Sequence, residues 1–170
     1  EIIRKAVLSG TISDMLAASM GKCSRSLVKN QYPNGHPDLV LRGKHPKDAA
    51  PSAPDGVEIK VTKKAGGAVD HHGARAQWLC VFVYEIDDET EPTINRAPMR
   101  FREVYLGRVG KSDFRKNVRK TDLGSRTATL DADGLARFRK NWIYRDAIPR
   151  GVAVPPTPAR PRRQARKTSR

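Results

Sequence analysis

The stretch Val57-Glu58-Ile59-Lys60-Val61 decides the reading of this chain, because its side chains change character at every step. Successive residues of an extended strand point to opposite faces, so Val57, Ile59 and Val61 share an apolar face while Glu58 and Lys60 share the other, about 7 Å apart. The apolar face is built to enter a core. Upstream, the short run Asp38-Leu39-Val40-Leu41 follows the turn-like Pro33-Asn34-Gly35, and a Pro- and Gly-containing stretch over 42–56 separates it from Val57. We expect two strands joined by a long hairpin loop. Downstream, Trp78-Leu79-Cys80-Val81-Phe82-Val83-Tyr84 is apolar on both faces, the pattern of a central strand covered from both sides, with Cys80 as a core thiol. Phe101 to Leu106 reads as a further strand, with Arg102 and Glu103 marking one wet face.

Around these strands the apolar period lengthens. Ile3, Val7, Leu8, Ile12, Met15 and Leu16 recur near the helical period, which predicts an N-terminal helix that Gly10 can break and Gly21 ends, followed by a basic and polar connection over 22–34. Ser112 or Asp113 is placed to cap a short basic helix through Val118. Asp131 is placed to cap another from Ala132 to about Tyr144, with Leu135, Phe138 and Trp142 as its buried stripe. The order gives an α/β (α+β) domain, a mixed β-sheet flanked by helices, over residues 1–150. Residues 151–170 are rich in Pro and Arg without apolar periodicity and are expected to form a disordered basic tail.

At 170 residues the chain suits one domain, able to bury roughly 70% of its unfolded surface. Lys plus Arg number 33 against 18 Asp plus Glu, a net charge of +15 and a pI near 10.3, so a polyanion is the natural partner. No apolar run approaches the ~20 residues needed to span a bilayer, and the N-terminus does not lead into a signal-peptide core. A cytoplasmic location is expected, nucleoid-associated in a prokaryote. Cys23 and Cys80 are too few for a zinc knuckle or a disulfide framework and read as reduced thiols. The first residue is Glu rather than Met, from which we expect the numbered chain to begin inside a longer gene product.

Chemistry enters through Pro37-Asp38, nineteen intervening residues, and Glu58-Ile59-Lys60. Glu58 and Lys60 project from one face, and Asp38 can meet them from the neighbouring strand. Hard oxygen donors suit Mg²⁺, which takes one or two carboxylates from a protein and completes its shell with water and phosphate oxygens. Lys60 beside them can hydrogen-bond an attacking water and offset charge on a phosphate.

At these residues the sequence resembles the PD-(D/E)XK nuclease superfamily, which includes type II restriction endonucleases, junction resolvases and repair nucleases. The likeness covers mainly residues 36–62. It implies a restriction-endonuclease-like core, metal binding by Asp38, Glu58 and the Ile59 carbonyl, and orientation of the nucleophile by Lys60. It further implies a Mg²⁺-dependent DNA endonuclease, with Mn²⁺ as a substitute ion, acting on double-stranded DNA as a homodimer in the manner of a type II restriction enzyme. A junction-resolving or repair nuclease and a noncatalytic DNA-binding protein are the alternatives.

Asp14 or Glu1 is a candidate for the further acid that many members carry on the preceding helix. His36, His72 and Gln77 are candidates for support or substrate contact. Adjacent histidines on a strand point to opposite sides, so Asp70-His71-His72 is expected to be a loop approaching the active site or the DNA rather than a separate metal site. Ala65-Gly66-Gly67 lacks the Lys-Ser/Thr ending of a phosphate-binding loop and reads as a turn. For DNA contact, Lys63 and Lys64 extend the positive surface past Lys60, and Lys111, Arg115, Lys116, Asn117, Arg119, Lys120 and Arg126 form a basic stretch whose Arg and Asn side chains can read bases. The tail adds salt-sensitive affinity without selectivity.

Overall fold

The computed structural model describes residues 5–67, 69–116 and 127–147. The N-terminal helix α1 (Lys5–Cys23) runs unbroken through Gly10. Thr11 is accommodated inside it because its hydroxyl donates back to the Val7 carbonyl at 3.0 Å. Gly21, expected as the stop, lies within the last turn. A Cβ there would stand 2.7 Å from the Lys29 nitrogen, so glycine lets the helix rest against the backbone of β1 (Leu27–Lys29). That strand was not expected inside the basic connection. Arg42 ties the two together by donating from Nη2 to the carbonyls of Gly21, Ser24 and Leu27, which gives open carbonyls near the helix end a partner.

The strands β2 (Leu39–Leu41) and β3 (Val57–Thr62) form the expected antiparallel pair, and β1 adds antiparallel to the free side of β2. After the two-residue β4 (Asp70–His71), the strand β5 (Gln77–Glu85) enters parallel to β3, and β6 (Arg100–Val109) returns antiparallel to β5. Then follow β7 (Phe114–Lys116), β8 (Ala128–Leu130), the helix α2 (Ala132–Arg139) and β9 (Trp142–Arg145). The result is a mixed six-stranded sheet in the order β1-β2-β3-β5-β6-β9, with a small antiparallel sheet β4-β8-β7. The chain is thus an α+β protein. Among the described residues no helix is long and apolar enough to cross a membrane.

Alternation along β3 and β5 sends two sets of side chains to opposite faces of the large sheet. Ile59 with Val57, Val61 and Phe82 packs beneath Ala17, Leu16 and Met20 of α1. On the other face Leu79, Val81 and Val83 are fully buried against Tyr105, Val109, Leu130 and Phe138, so the small sheet and α2 form the second covering layer. Burial of each such aliphatic side chain contributes about 1.5–3 kcal/mol. Cys80 is buried as expected, and burial pushes its thiol up to about 12, away from reactivity at neutral pH.

Three local expectations are corrected. In place of a basic helix from Asp113 there is a single tight turn over Lys111–Asp113, then β7; the Asp113 carboxylate accepts from the Gly110 nitrogen at 2.7 Å and pairs with Arg137. Residues 117–126 lie outside the described residues. The helix capped by Asp131, whose carboxylate accepts from the Gly134 nitrogen at 2.7 Å, stops at Arg139 instead of running to Tyr144. The chain there rejoins the large sheet through the Leu106 nitrogen to the Asn141 carbonyl, so Leu135 and Phe138 stay in the stripe while Trp142 is half exposed. Finally, Arg102 does not mark a wet face. It is buried and its guanidinium reaches Asp146 at 3.0 Å and Glu85 at 3.4 Å, partners supplied by the neighbouring strands.

Candidate active site

The end of the β2–β3 ladder creates the site. The two strands meet at Leu39 and Val57, a register that sets Asp38 opposite Glu58 and Pro37 opposite Ile59. Pro37 has no N–H to continue the ladder, and its carbonyl is already taken by the Asn30 side-chain amide at 3.0 Å. The Ile59 peptide group is therefore released from strand pairing on the β2 side. Its N–H donates instead to Asp38 Oδ2 at 2.7 Å. Its carbonyl, which in a strand points to the same edge as the N–H, meets the Ser13 hydroxyl of α1 at 3.5 Å.

Asn30, absent from the sequence-based candidates, holds this junction. Its Nδ2 donates to the carbonyls of Pro37 and Ala50, and its Oδ1 accepts from the nitrogens of Tyr32 and Ala50, so the buried amide is satisfied on both sides. Only its place just ahead of the Pro33-Asn34-Gly35 turn hinted at this.

Glu58, 8% exposed, stands between two nitrogen donors: Lys60 Nζ lies 2.7 Å from Oε1 and His36 Nδ1 lies 2.9 Å from Oε2. Burial works to raise the Glu58 pKa, but the His36 hydrogen bond and the charge and hydrogen bond of Lys60 outweigh it and hold the group near 2. Asp38 responds oppositely. Burial and the Glu58 charge raise it to about 6, against the Ile59 N–H, Lys60 and His36. The two acids thus share one field, and the second is held protonated over a range where a surface aspartate is charged.

A cavity of about 400 Å³ opens over these groups, lined by Asp38, Glu58, Lys60 and His36 together with His71, His72, Arg75 and Gln77. His36, His72 and Gln77, the candidates for support or substrate contact, all line it. His71 belongs to the segment expected to approach the active site, whereas Arg75 is not among the sequence-based candidates. In place of the expected loop, Asp70 and His71 form a short strand that buries His71, 2% exposed, and leaves His72 exposed at the rim.

The remaining candidates fall elsewhere. Asp14 is corrected: it points away to Lys29 at 3.1 Å, is largely exposed and does not line the cavity, because its neighbour Ser13 occupies the turn of α1 that faces Ile59. Glu1 lies outside the described residues. Lys63 pairs with Asp88 at 2.8 Å, and Lys63, Lys64, Lys111 and Arg115 are exposed. Lys116 belongs to β7, while Asn117, Arg119, Lys120, Arg126 and the tail lie outside the described residues.

The Asp38 and Glu58 carboxylates are hard donors of the number a magnesium ion takes from protein; the Ile59 carbonyl, the third expected donor, accepts from the Ser13 hydroxyl. Burial and then the Glu58 charge raise Asp38, and the charge repulsion is what a divalent cation would relieve. Among the described residues no group of three or more His, Cys, Asp and Glu side chains is arranged as a metal site, so the fit rests on the two acids and the carbonyl. Compared with known proteins, the chain matches no protein family, no curated protein and no solved structure.

Proposed function

We propose that this protein is a metal-dependent nuclease that hydrolyses phosphodiester bonds in DNA. The observation that carries the reading is the junction at Pro37, which brings Asp38 opposite Glu58, frees the Ile59 peptide group, and leaves Lys60 beside both acids in one cavity. A salt-bridged hairpin without catalytic purpose does not require a second carboxylate raised to about 6 beside the first. The net charge of +15 supplies the long-range attraction for a polyanionic substrate.

Asp38, Glu58 and the Ile59 carbonyl would hold Mg²⁺, with Mn²⁺ as a substitute. Bound there, the ion supplies a Lewis acid that acidifies water and offsets charge at phosphorus. Lys60, now paired with Glu58 Oε1, is placed to donate to an attacking water and to a phosphate oxygen. Its ion pair with Glu58 suits it to act as a donor rather than as the base. His36 orients the Glu58 carboxylate through Oε2. Arg75, exposed on the rim, adds a cation where the phosphate backbone would approach. Double-stranded DNA cut in the manner of a type II restriction enzyme, by a homodimer, is the proposed physiological form.

The reading is tested by incubating several plasmids and branched DNA with Mg²⁺ and with EDTA. The expected result is cleavage with Mg²⁺ only, and loss of at least about a hundredfold in rate in Lys60→Ala with DNA binding retained. Discrete fragments identify a recognition sequence, and cleavage confined to branched DNA replaces the restriction reading with a resolving or repair one. Binding without cleavage of any DNA form would reject the nuclease.

A further inference from the structure

The last strand of the large sheet carries an apolar surface that the proposed hydrolysis does not use. Trp142, Ile143 and Tyr144 of β9 are 50%, 60% and 46% exposed, and β9 ends the sheet. Large apolar side chains gathered on one strand and left in solvent mark a contact surface. The strand is also irregular at this point. Tyr144 pairs with Val104 and Trp142 with Tyr105, so Ile143 is an extra residue, a bulge. Regular alternation would put Trp142 and Arg145 on opposite faces. The bulge brings them to the same one, Trp142 beside Tyr105 and Arg145 beside Glu103, and the Arg145 guanidinium stands over the indole, its carbon 5.0 Å from the ring centroid. The ring is thus backed by a cation while half of the side chain stays open to solvent.

Charge selects the occupant. Residues 134–145 hold Arg137, Arg139, Lys140 and Arg145 and no acid, and every residue from Arg139 to Arg145 is exposed. A second copy pairing antiparallel with this edge would bring the two sets of cations together, and like charges facing one another across strands are destabilising. A polyanion is attracted instead. Aromatic rings among cations bind nucleic acid by stacking: the cations follow the phosphates and a ring takes the face of a base. Bases within a duplex are already stacked on their neighbours, so the ring selects an unpaired one.

We propose that β9 is a single-strand binding surface, on which an unpaired nucleobase stacks against Trp142 while Arg139 and Lys140 contact the adjoining phosphates. This surface rests on the bulge, the exposed ring and the local charge, and not on the nuclease reading.

The surface is tested by titrating the full chain, in EDTA, with oligothymidylate of about 12 nucleotides and with a chain of abasic deoxyribose phosphates of the same length. The oligothymidylate is expected to bind about tenfold or more tightly, the contribution of stacking. Trp142→Ala is expected to reduce that preference to within about twofold while leaving the abasic affinity within about twofold, and Trp142→Phe to retain most of it. In Trp78→Phe, which leaves Trp142 as the single tryptophan, oligothymidylate and not the abasic chain should quench the fluorescence. Equal binding of the two ligands by the wild type, no binding of either, or a preference that survives Trp142→Ala overturns the surface. So does a wild-type dimer, measured by sedimentation equilibrium without DNA, that Trp142→Ala converts to monomer, for then a second copy covers β9. The titrations need neither metal nor cleavage. A nuclease that shows no base preference therefore loses this surface alone, and a protein that holds the single strand but cuts nothing loses the nuclease alone.

Discussion

Asp38→Asn is expected to abolish metal-dependent cleavage, by about a thousandfold or more, and also to stabilise the metal-free protein. The stabilisation follows from the raised pKa. Folding lifts Asp38 from 3.8 to about 6, so the native state holds this proton more tightly than the unfolded chain, and stability is lost as pH rises through that window. Above pH 6 the whole penalty is present. Asparagine keeps an oxygen for the Ile59 N–H and removes the charge facing Glu58. At pH 8 in EDTA the gain should be about 1–3 kcal/mol, or about 3–9 °C in melting temperature, and it should vanish near pH 3. Glu58→Gln should behave oppositely. The Glu58 pKa is depressed to about 2, its stabilisation is present above 4.5 and is lost as pH falls toward 2, so the substitution weakens the fold at neutral pH. Thermal unfolding of both variants across pH 3–8 reads these signs. Destabilisation by Asp38→Asn at pH 8 would contradict the shared field of the two acids.

Gly56→Ala is expected to damage both fold and site. Gly56 has φ +121°, a region that side chains rarely enter, and a Cβ there would lie 2.1 Å from the Leu39 carbonyl oxygen and 2.6 Å from Pro37 Cγ. That carbonyl belongs to the last paired residue of β2, and Pro37 ends the ladder, so no flexible side chain is available to yield. We expect a loss of about 3 kcal/mol or more, measured by urea denaturation, and loss of activity in whatever fraction remains folded, because shifting Leu39 moves Asp38 off Glu58. A wild-type denaturation midpoint with full activity would mean that this contact does not set the register.

The alternation of Val57 to Val61 and the apolar run over 78–84 were legible because strand period and burial are local properties of the sequence. So was the meeting of Asp38 with Glu58 and Lys60, which needs only a hairpin of the expected register. The elements that escaped reading depend on distant partners. Leu27-Val28-Lys29 is too short to show a period and is a strand only because β2 lies beside it. Trp142 to Arg145 continues a helical pattern, yet the open side of β6 claims it as a strand. Asp113 has the composition of a helix cap and instead closes a turn, drawn by Gly110 and Arg137. Asp70-His71-His72 reads as a loop, and only the pairing of Asp70 and His71 with Thr129 and Ala128 makes it a strand and turns His71 inward. Asn30 gives no sequence signal beyond its turn, since the Pro37 and Ala50 carbonyls it donates to are set beside it only by the folding of the loop.

The proposed hydrolysis requires Asp38 and Glu58 to hold one divalent cation between them. Titration of Mn²⁺ into the metal-free protein, followed by the loss of its free-ion electron paramagnetic resonance signal, tests it without reference to any substrate. The account predicts one competing site per chain, displaced by excess Mg²⁺, weakened at least about tenfold in both Asp38→Asn and Glu58→Gln. Binding that is unchanged in the two variants, or no binding by the wild type, would contradict it.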